Sequence, residues 1–354
     1  MKIIDRYIAV TLLKTTLLAL TALLSLFTFL SLIDQLEETG RGNYTVIKAI
    51  EYVILTLPRI TYELFPIAAI IGSMSTLGIL AHNSELVVIR TSGVSMQRLA
   101  YSMAKGGAVI VVVALLVGEL LAPYCEQAAQ HLRSVALSEQ ITLKTKNGFW
   151  SRDRSSFINI RKILPGNKLE DIYIYEFDEN NQLRTSTHAR RALYQDEQWL
   201  LENIQQSVIS REGIIKKKSK LAAWNALLNP DVINLVTVKP QYLTVAGLVE
   251  YISYLKQNNQ NSLQYEQALW SKLVNPVTII VMIILAVPLV KSYSRMIPVS
   301  QRVFIGCFIG ICFHIVNQVS SQMGMVYSIN TVVSATVPTI LVSIIAVYMM
   351  YRNA

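Results

Sequence analysis

Arg59 and Glu63 stand four residues apart inside an otherwise apolar run. On a helix that spacing places them on one face, where they can pair. An arginine near a membrane interface can also extend its apolar stem and reach headgroups. A second polar cluster, His314, Asn317 and Gln318, interrupts another apolar run. Polar residues in such a setting are functional candidates, and they also hold helix bundles together through interhelical hydrogen bonds; for this cluster the second reading is favoured. A third stretch, Ser84 to Gly93, carries helix punctuation. Asn83 suits the N-cap of a helix that begins at Ser84, and Gly93 suits the position just past its end. Glu85 in the first turn and Arg90 near the last both complement the helix dipole. The spacing predicts about nine helical residues, roughly 14 Å long at the usual rise. Leu86, Val87, Val88 and Ile89 make this helix greasy, and Glu85 leaves one acidic point. A helix that lies on lipid usually carries several basic residues. This one has few and reads as an element that docks into a cleft on a cytoplasmic partner.

Chemistry of other kinds finds no motif. There is no Gly-Lys dipeptide anywhere, so a phosphate-binding P-loop is absent. There is no His-Glu-x-x-His and no Cys-x-x-Cys, and His82, His131, His188 and His314 lie far apart. No metal or cofactor is expected, because zinc needs ligand sets that this spacing does not offer. Cys307 and Cys312 fall inside one apolar run and Cys125 stands alone, so no disulfide framework is expected.

The elements that would carry these residues follow from composition. Of 354 residues 52% are hydrophobic and 16% charged, against about 25% charged in ordinary globular chains. Apolar residues gather into six runs of spanning length, 8–33, 49–80, 97–122, 268–290, 303–322 and 331–351. The first is too long, and its flanks too ordinary, for a cleaved signal peptide. With the N-terminus placed inside, the short inner pieces hold Lys2, Arg6, Arg90, Arg98, Lys291, Arg295, Arg302 and Arg352. The short outer loops hold Arg41 beside Asp34, Glu37 and Glu38, with Lys48 at the edge of the second run. That bias places both termini in the cytoplasm. It also accounts for the net charge of +9 without nucleic acid, for which no motif exists.

Residues 123–267 break the apolar pattern and would lie outside. "FINI" (157–160), "DIYIYEF" (171–177), "QWLLENI" (198–204) and "QSVIS" (206–210) alternate as strands. Turn signals separate them at 165–167, 178–181 and 211–213. An antiparallel sandwich or jelly roll is expected. Residues 244–259 then read as a helix with Leu248, Tyr251, Ile252 and Leu255 on one face. The expected fold is an α-helical polytopic membrane protein of six transmembrane helices with an inserted all-β, jelly-roll-like periplasmic domain. Residues 1–122 would hold the first three spans and the short helix 84–92, 123–267 the periplasmic domain, and 268–354 the last three spans.

Several motifs resemble one family. "DRYI" (5–8), "DQL" (34–36), "FP" (65–66), "SELVVIRTSG" (84–93), "GELLAPYCEQ" (118–127) with Arg133, and "LWSKLVNP" (269–276) are similar to the LptF/LptG permease family, and to its LptG branch in particular. The resemblance covers nearly the whole chain. It implies a non-catalytic permease subunit of the lipopolysaccharide exporter in the bacterial inner membrane. Such a subunit pairs with LptF above two copies of the ATPase LptB, is joined by LptC, and passes lipopolysaccharide toward the periplasmic LptA bridge. It further implies that Glu85, with Ser84, Leu86, Val87 and Ile89, couples to the ATPase. Arg59 and Arg133 would face lipid phosphates, and Phe27, Phe65 and Ile311 would line the acyl-chain cavity.

The chain departs from the family after "DQL", where lysines often stand and Glu37-Glu38 occur here; Ser31 replaces another lysine. The phosphate contacts then either move to Arg41, Lys48 and Arg59 or rest more on LptF. Three functions stand side by side: the lipopolysaccharide permease subunit, an LptF-type paralogue or a permease of another lipid or lipoprotein extruder, and a membrane sensor with a periplasmic ligand-binding domain. A sensor usually ends in a soluble output domain, and no such segment is visible.

Overall fold

The computed structural model describes residues 3–137, 149–153, 156–164, 168–178, 182–195, 198–210, 213–224, 240–258, 260–292, 298–327 and 329–352. Helices α1 (Ile3–Leu36), α2 (Val46–His82), α3 (Glu85–Thr91) and α4 (Met96–Leu116) come first. A π-helical turn, Val117–Leu121, joins α4 to α5 (Ala122–Ala136). Strands β1 (Phe149–Asp153), β2 (Ser156–Leu164), β3 (Lys168–Phe177), β4 (Leu183–Gln195), β5 (Gln198–Ser210) and β6 (Gly213–Trp224) follow. The chain returns through α6 (Val245–Gln257) to α7 (Leu263–Ser292), α8 (Val299–Val326) and α9 (Thr331–Arg352).

Six helices among the described residues are long and apolar enough to cross a membrane, as expected. They run past the apolar cores read from sequence because polar ends continue the helices; the third extends from Met96 to Arg133. The second span, α2, is the most enclosed and packs against α1, α4, α5, α7 and α8. Pro58 and Pro66 sit inside it, as Pro276 and Pro288 do in α7. Neighbouring helices and hydroxyl side chains make such breaks tolerable inside a bundle. Small residues let α1 and α2 touch. Thr15 Oγ1 donates to the Gly72 carbonyl at 2.9 Å and lies 2.7 Å from Thr76 Oγ1. A side chain at Gly72 would strike the Thr16 backbone. One continuous core joins Leu12, Ile70, Met74, Met103 and Ile283 across the bundle. With no hydrophobic drive between helices in lipid, close packing and such hydrogen bonds hold them.

The β insertion is one antiparallel sheet of six strands in sequence order, β1 to β6. Alternation buries Ile158, Ile160, Ile172, Ile174, Ala189 and Leu201 on one face, with Ile160 opposite Ile172. Among the described residues no crossover strand divides it into the two sheets of a sandwich. Asp171 and Asn203 both stand at φ +52°. There the pairing of β3, β4 and β5 skips a residue at a common level, between Ala189 and Arg191 on β4. The register shifts instead between Glu176 and Phe177 on β3, where a bulge kinks the strand and strengthens its twist. The expected turns at 165–167 lie outside the described residues, as do 179–181 and 211–212.

The helix expected at 244–259 is α6. The Thr244 side chain caps it, accepting from the Gly247 N–H at 3.1 Å. Leu248, Tyr251, Ile252 and Leu255 are all buried. Tyr251, Tyr254 and Leu255 press on the sheet, so α6 ties the sheet to the bundle.

Candidate functional site

At the end of the bundle away from the sheet, α3 hangs between α2 and α4. It is shorter than expected and its cap differs. Ser84, not Asn83, takes the N-cap position, in the left-handed conformation (φ 61°), and makes no side-chain capping bond. The Asn83 side chain points instead to Glu85 Oε1 at 3.3 Å. The exit is as expected: Gly93 has φ +84° and its N–H bonds the Arg90 carbonyl at 3.0 Å. Seven residues remain, about two turns. Leu86 packs on the core of its own bundle, whereas Val88 is 62% exposed. The outward apolar point is therefore Val88, with Val87 and Ile89 half-buried beside it. Glu85 faces the Tyr7 phenol on α1. A buried brace steadies the platform: Arg98 Nη2 lies 3.1 Å from Asp5 Oδ2, and Ser102 Oγ donates to Asp5 Oδ1 at 2.6 Å.

At the sheet-side end, charges are paired in low-dielectric surroundings. Arg59 Nε donates to Glu126 Oε2 on α5 at 3.1 Å, and its Nη1 lies 3.1 Å from Glu63 Oε1. Its guanidinium also covers the Tyr242 ring at 5.1 Å. Arg133 on α5 grips Glu38, with Nη2 2.6 Å from each carboxylate oxygen and Nε 3.1 Å from Oε2. That hydrogen-bonded contact holds the Glu38 carboxyl below the usual glutamate value. Lys272 on α7, only 7% exposed, reaches Glu119 Oε1 at 2.8 Å. Glu119 belongs to the π turn, and its Oε2 accepts the Val245 N–H at the start of α6 at 2.9 Å. A carboxylate there satisfies an orphan amide and meets the positive end of the helix dipole.

Arg59, Glu63 and Lys272 border a cavity of about 950 Å³ between α2, the π turn, α7 and α8, roofed by Pro240, Gln241 and Tyr242. His314, Asn317 and Gln318 line it. The interhelical hydrogen bonds expected of them are supplied by others. Gln267 donates to Ser321 at 3.1 Å and accepts from Ser334 at 2.6 Å, and Thr278 lies 2.8 Å from Thr339.

The remaining expected residues scatter. Arg41 is exposed in the α1–α2 loop and Lys48 is half-buried on the first turn of α2. Phe27 on α1 and Ile311 on α8 are exposed, but Phe65 is 4% exposed and sits in the core. Its side of α2 faces the other helices. Glu126, Glu119 and Lys272 were not singled out from sequence. They stand within the quoted motifs, and for Glu119 and Lys272 a charge inside an apolar run is the available signal; the charged partners lie 67 to 153 residues away.

The model of one protein family, described as "Lipopolysaccharide export system permease LptF/LptG", matches residues 6–352. The lipopolysaccharide export system permease protein LptG of Haemophilus influenzae is 31% identical over 352 residues, covering 99% of this chain and 98% of that protein. The protein of the same name from Escherichia coli K12 is 30% identical over 355 residues, covering 99% of each.

Proposed function

The chain belongs to the LptF/LptG family of lipopolysaccharide export permeases, and from that membership we propose that it is the LptG-type subunit of the exporter. It sits in the bacterial inner membrane with both termini and α3 in the cytoplasm and the sheet in the periplasm. Lysine and arginine placement supports that orientation. It hydrolyses no ATP itself; a separate LptB-type ATPase supplies the energy. The observation that carries this reading is α3: a two-turn helix between two spans, presenting Glu85 and the exposed Val88 from a braced platform.

The exposed apolar faces of α1 and α8, with Phe27 and Ile311, meet an LptF-type partner and the acyl chains of lipopolysaccharide. Arg41 and Lys48 are left to approach lipid phosphates, since Arg59 and Arg133 already hold carboxylates. Among the described residues strand β6 is an outer strand, exposed along nearly all its length. Open strand edges accept further strands, which suits LptC- and LptA-type partners.

Glu85→Lys and Val88→Asp test this. Both are expected to release the ATPase from the purified complex and abolish transport, while thermal unfolding of the membrane subunit stays unchanged. Full ATPase retention in both variants would defeat the reading.

A further inference from the structure

The cavity beneath Tyr242 has no occupant in the reading above. Its wall poses a physical problem. His314, Asn317 and Gln318 sit on a membrane-spanning helix, and none of their side chains hydrogen-bonds another described residue. Polar groups at that depth are costly unless something satisfies them. Their positions on the cavity wall leave the contents of the cavity to do so.

We propose that this cavity, between α2, α7 and α8, is a second substrate subsite that takes neutral, hydroxyl-rich saccharide. Charge argues against a phosphate. The two cations at the wall are already held: Arg59 by Glu63 and Glu126, and Lys272 by Glu119. Two cations bound to three carboxylates leave one negative charge, which repels an anion. What remains available is neutral hydrogen bonding. Seven amide side chains line the cavity; Gln267 already bonds Ser321 and Ser334 and Asn275 faces Tyr62, which leaves Gln264, Asn317, Gln318 and Gln322 among those that can meet a ligand. Each amide both donates and accepts, and a sugar hydroxyl does the same, so the two match without a net charge. Tyr62 and Tyr242 add aromatic faces for the apolar C–H side of a pyranose. A volume near 950 Å³ is at the upper end of ligand-pocket sizes. The site lies apart from the exposed α1 face that carries Phe27. An acyl chain fits badly, because it would strand the amides.

This rests on lipopolysaccharide being the substrate, and the test separates the two claims. A photo-crosslinking residue is placed at Gln318 or at Phe27 in the full chain, purified with the subunits that assemble with it. Each protein is irradiated with intact lipopolysaccharide, and with the same lipid after its outer saccharide has been hydrolysed away. Gln318 is expected to label with the intact glycolipid and about tenfold less with the stripped one, the worth of one or two neutral hydrogen bonds. Phe27 is expected to label equally with both. Equal labelling from Gln318 would overturn the proposal, since the cavity would then hold lipid without reading saccharide. Labelling from Phe27 alone would overturn it while leaving the substrate intact. Labelling from neither would remove lipopolysaccharide as substrate, and the subsite with it.

Discussion

Arg59 on α2 donates from Nε to Glu126 Oε2 on α5 at 3.1 Å, and the Glu126 side chain is 1% exposed. The cation that the family resemblance assigned to a lipid phosphate is thus closed by a carboxylate of its own chain. A bound phosphate would have to displace an enclosed acid. Arg59 therefore acts first as a clamp between two helices at the sheet-side end of the bundle.

Glu126→Gln is expected to destabilise the protein by about 1.5–3 kcal/mol, the worth of a hydrogen bond to a charged group. Glu63 is half exposed, and Glu63→Gln should cost less than about 1 kcal/mol, as exposed pairs do. Thermal unfolding of both variants in one detergent checks the order. A larger loss for Glu63→Gln would contradict the clamp.

Lys272→Met should be among the more damaging single changes, at about 3–5 kcal/mol, because it leaves the Glu119 carboxylate without its cation. The double change Lys272→Met with Glu119→Leu removes both charges and should recover much of that loss. Hydrogen exchange at the first turn of α6 should rise in any variant that lacks Glu119, whose Oε2 holds the Val245 N–H. An unchanged exchange rate there would rule out the link between π turn and return helix.

The Glu38–Arg133 contact sets a direction in pH. The Glu38 carboxyl lies below its ordinary value of 4.5, chiefly through the hydrogen bond from Arg133. At acidic pH the unfolded chain then binds more protons than the folded one. The contribution is whole above the ordinary value and is lost as pH falls through the lowered one. Thermal midpoints measured from pH 7 down to pH about 3 should fall more steeply for the native protein than for Arg133→Gln. Parallel curves would show that the contact adds no stability.

Gly72→Ala tests the α1–α2 crossing, where an added Cβ would lie 2.7 Å from the Thr16 nitrogen. Overpacking of this kind costs about 1–3 kcal/mol. Gly93→Ala meets no atom within 4 Å, and its cost comes only from φ +84°. Unfolding should report a clear loss for the first. The second should leave global stability nearly intact and loosen α3, seen as faster exchange there.

The sequence by itself determined the architecture. Six apolar runs can satisfy their backbone in lipid only as helices, and alternation marked strands at 157–160, 171–177, 198–204 and 206–210, which fall in β2, β3 and β5. It also placed α3, since a helix ended by Gly93 follows from local chemistry, and it placed the α6 face through the spacing of Leu248, Tyr251, Ile252 and Leu255. Local chemistry misplaced the N-cap, because Asn83 and Ser84 are both suitable and the path out of α2 decides between them. The tertiary structure alone decided which charges pair. Arg59 with Glu63 was legible at a spacing of four, but Arg59 with Glu126, Arg133 with Glu38 and Lys272 with Glu119 join residues far apart in the chain. It also decided that Phe65 faces inward and that His314, Asn317 and Gln318 face a cavity. A helical run reports that a residue is polar or apolar; which neighbour it meets depends on how the helix is turned in the bundle, and packing against the surrounding helices sets that rotation for α2.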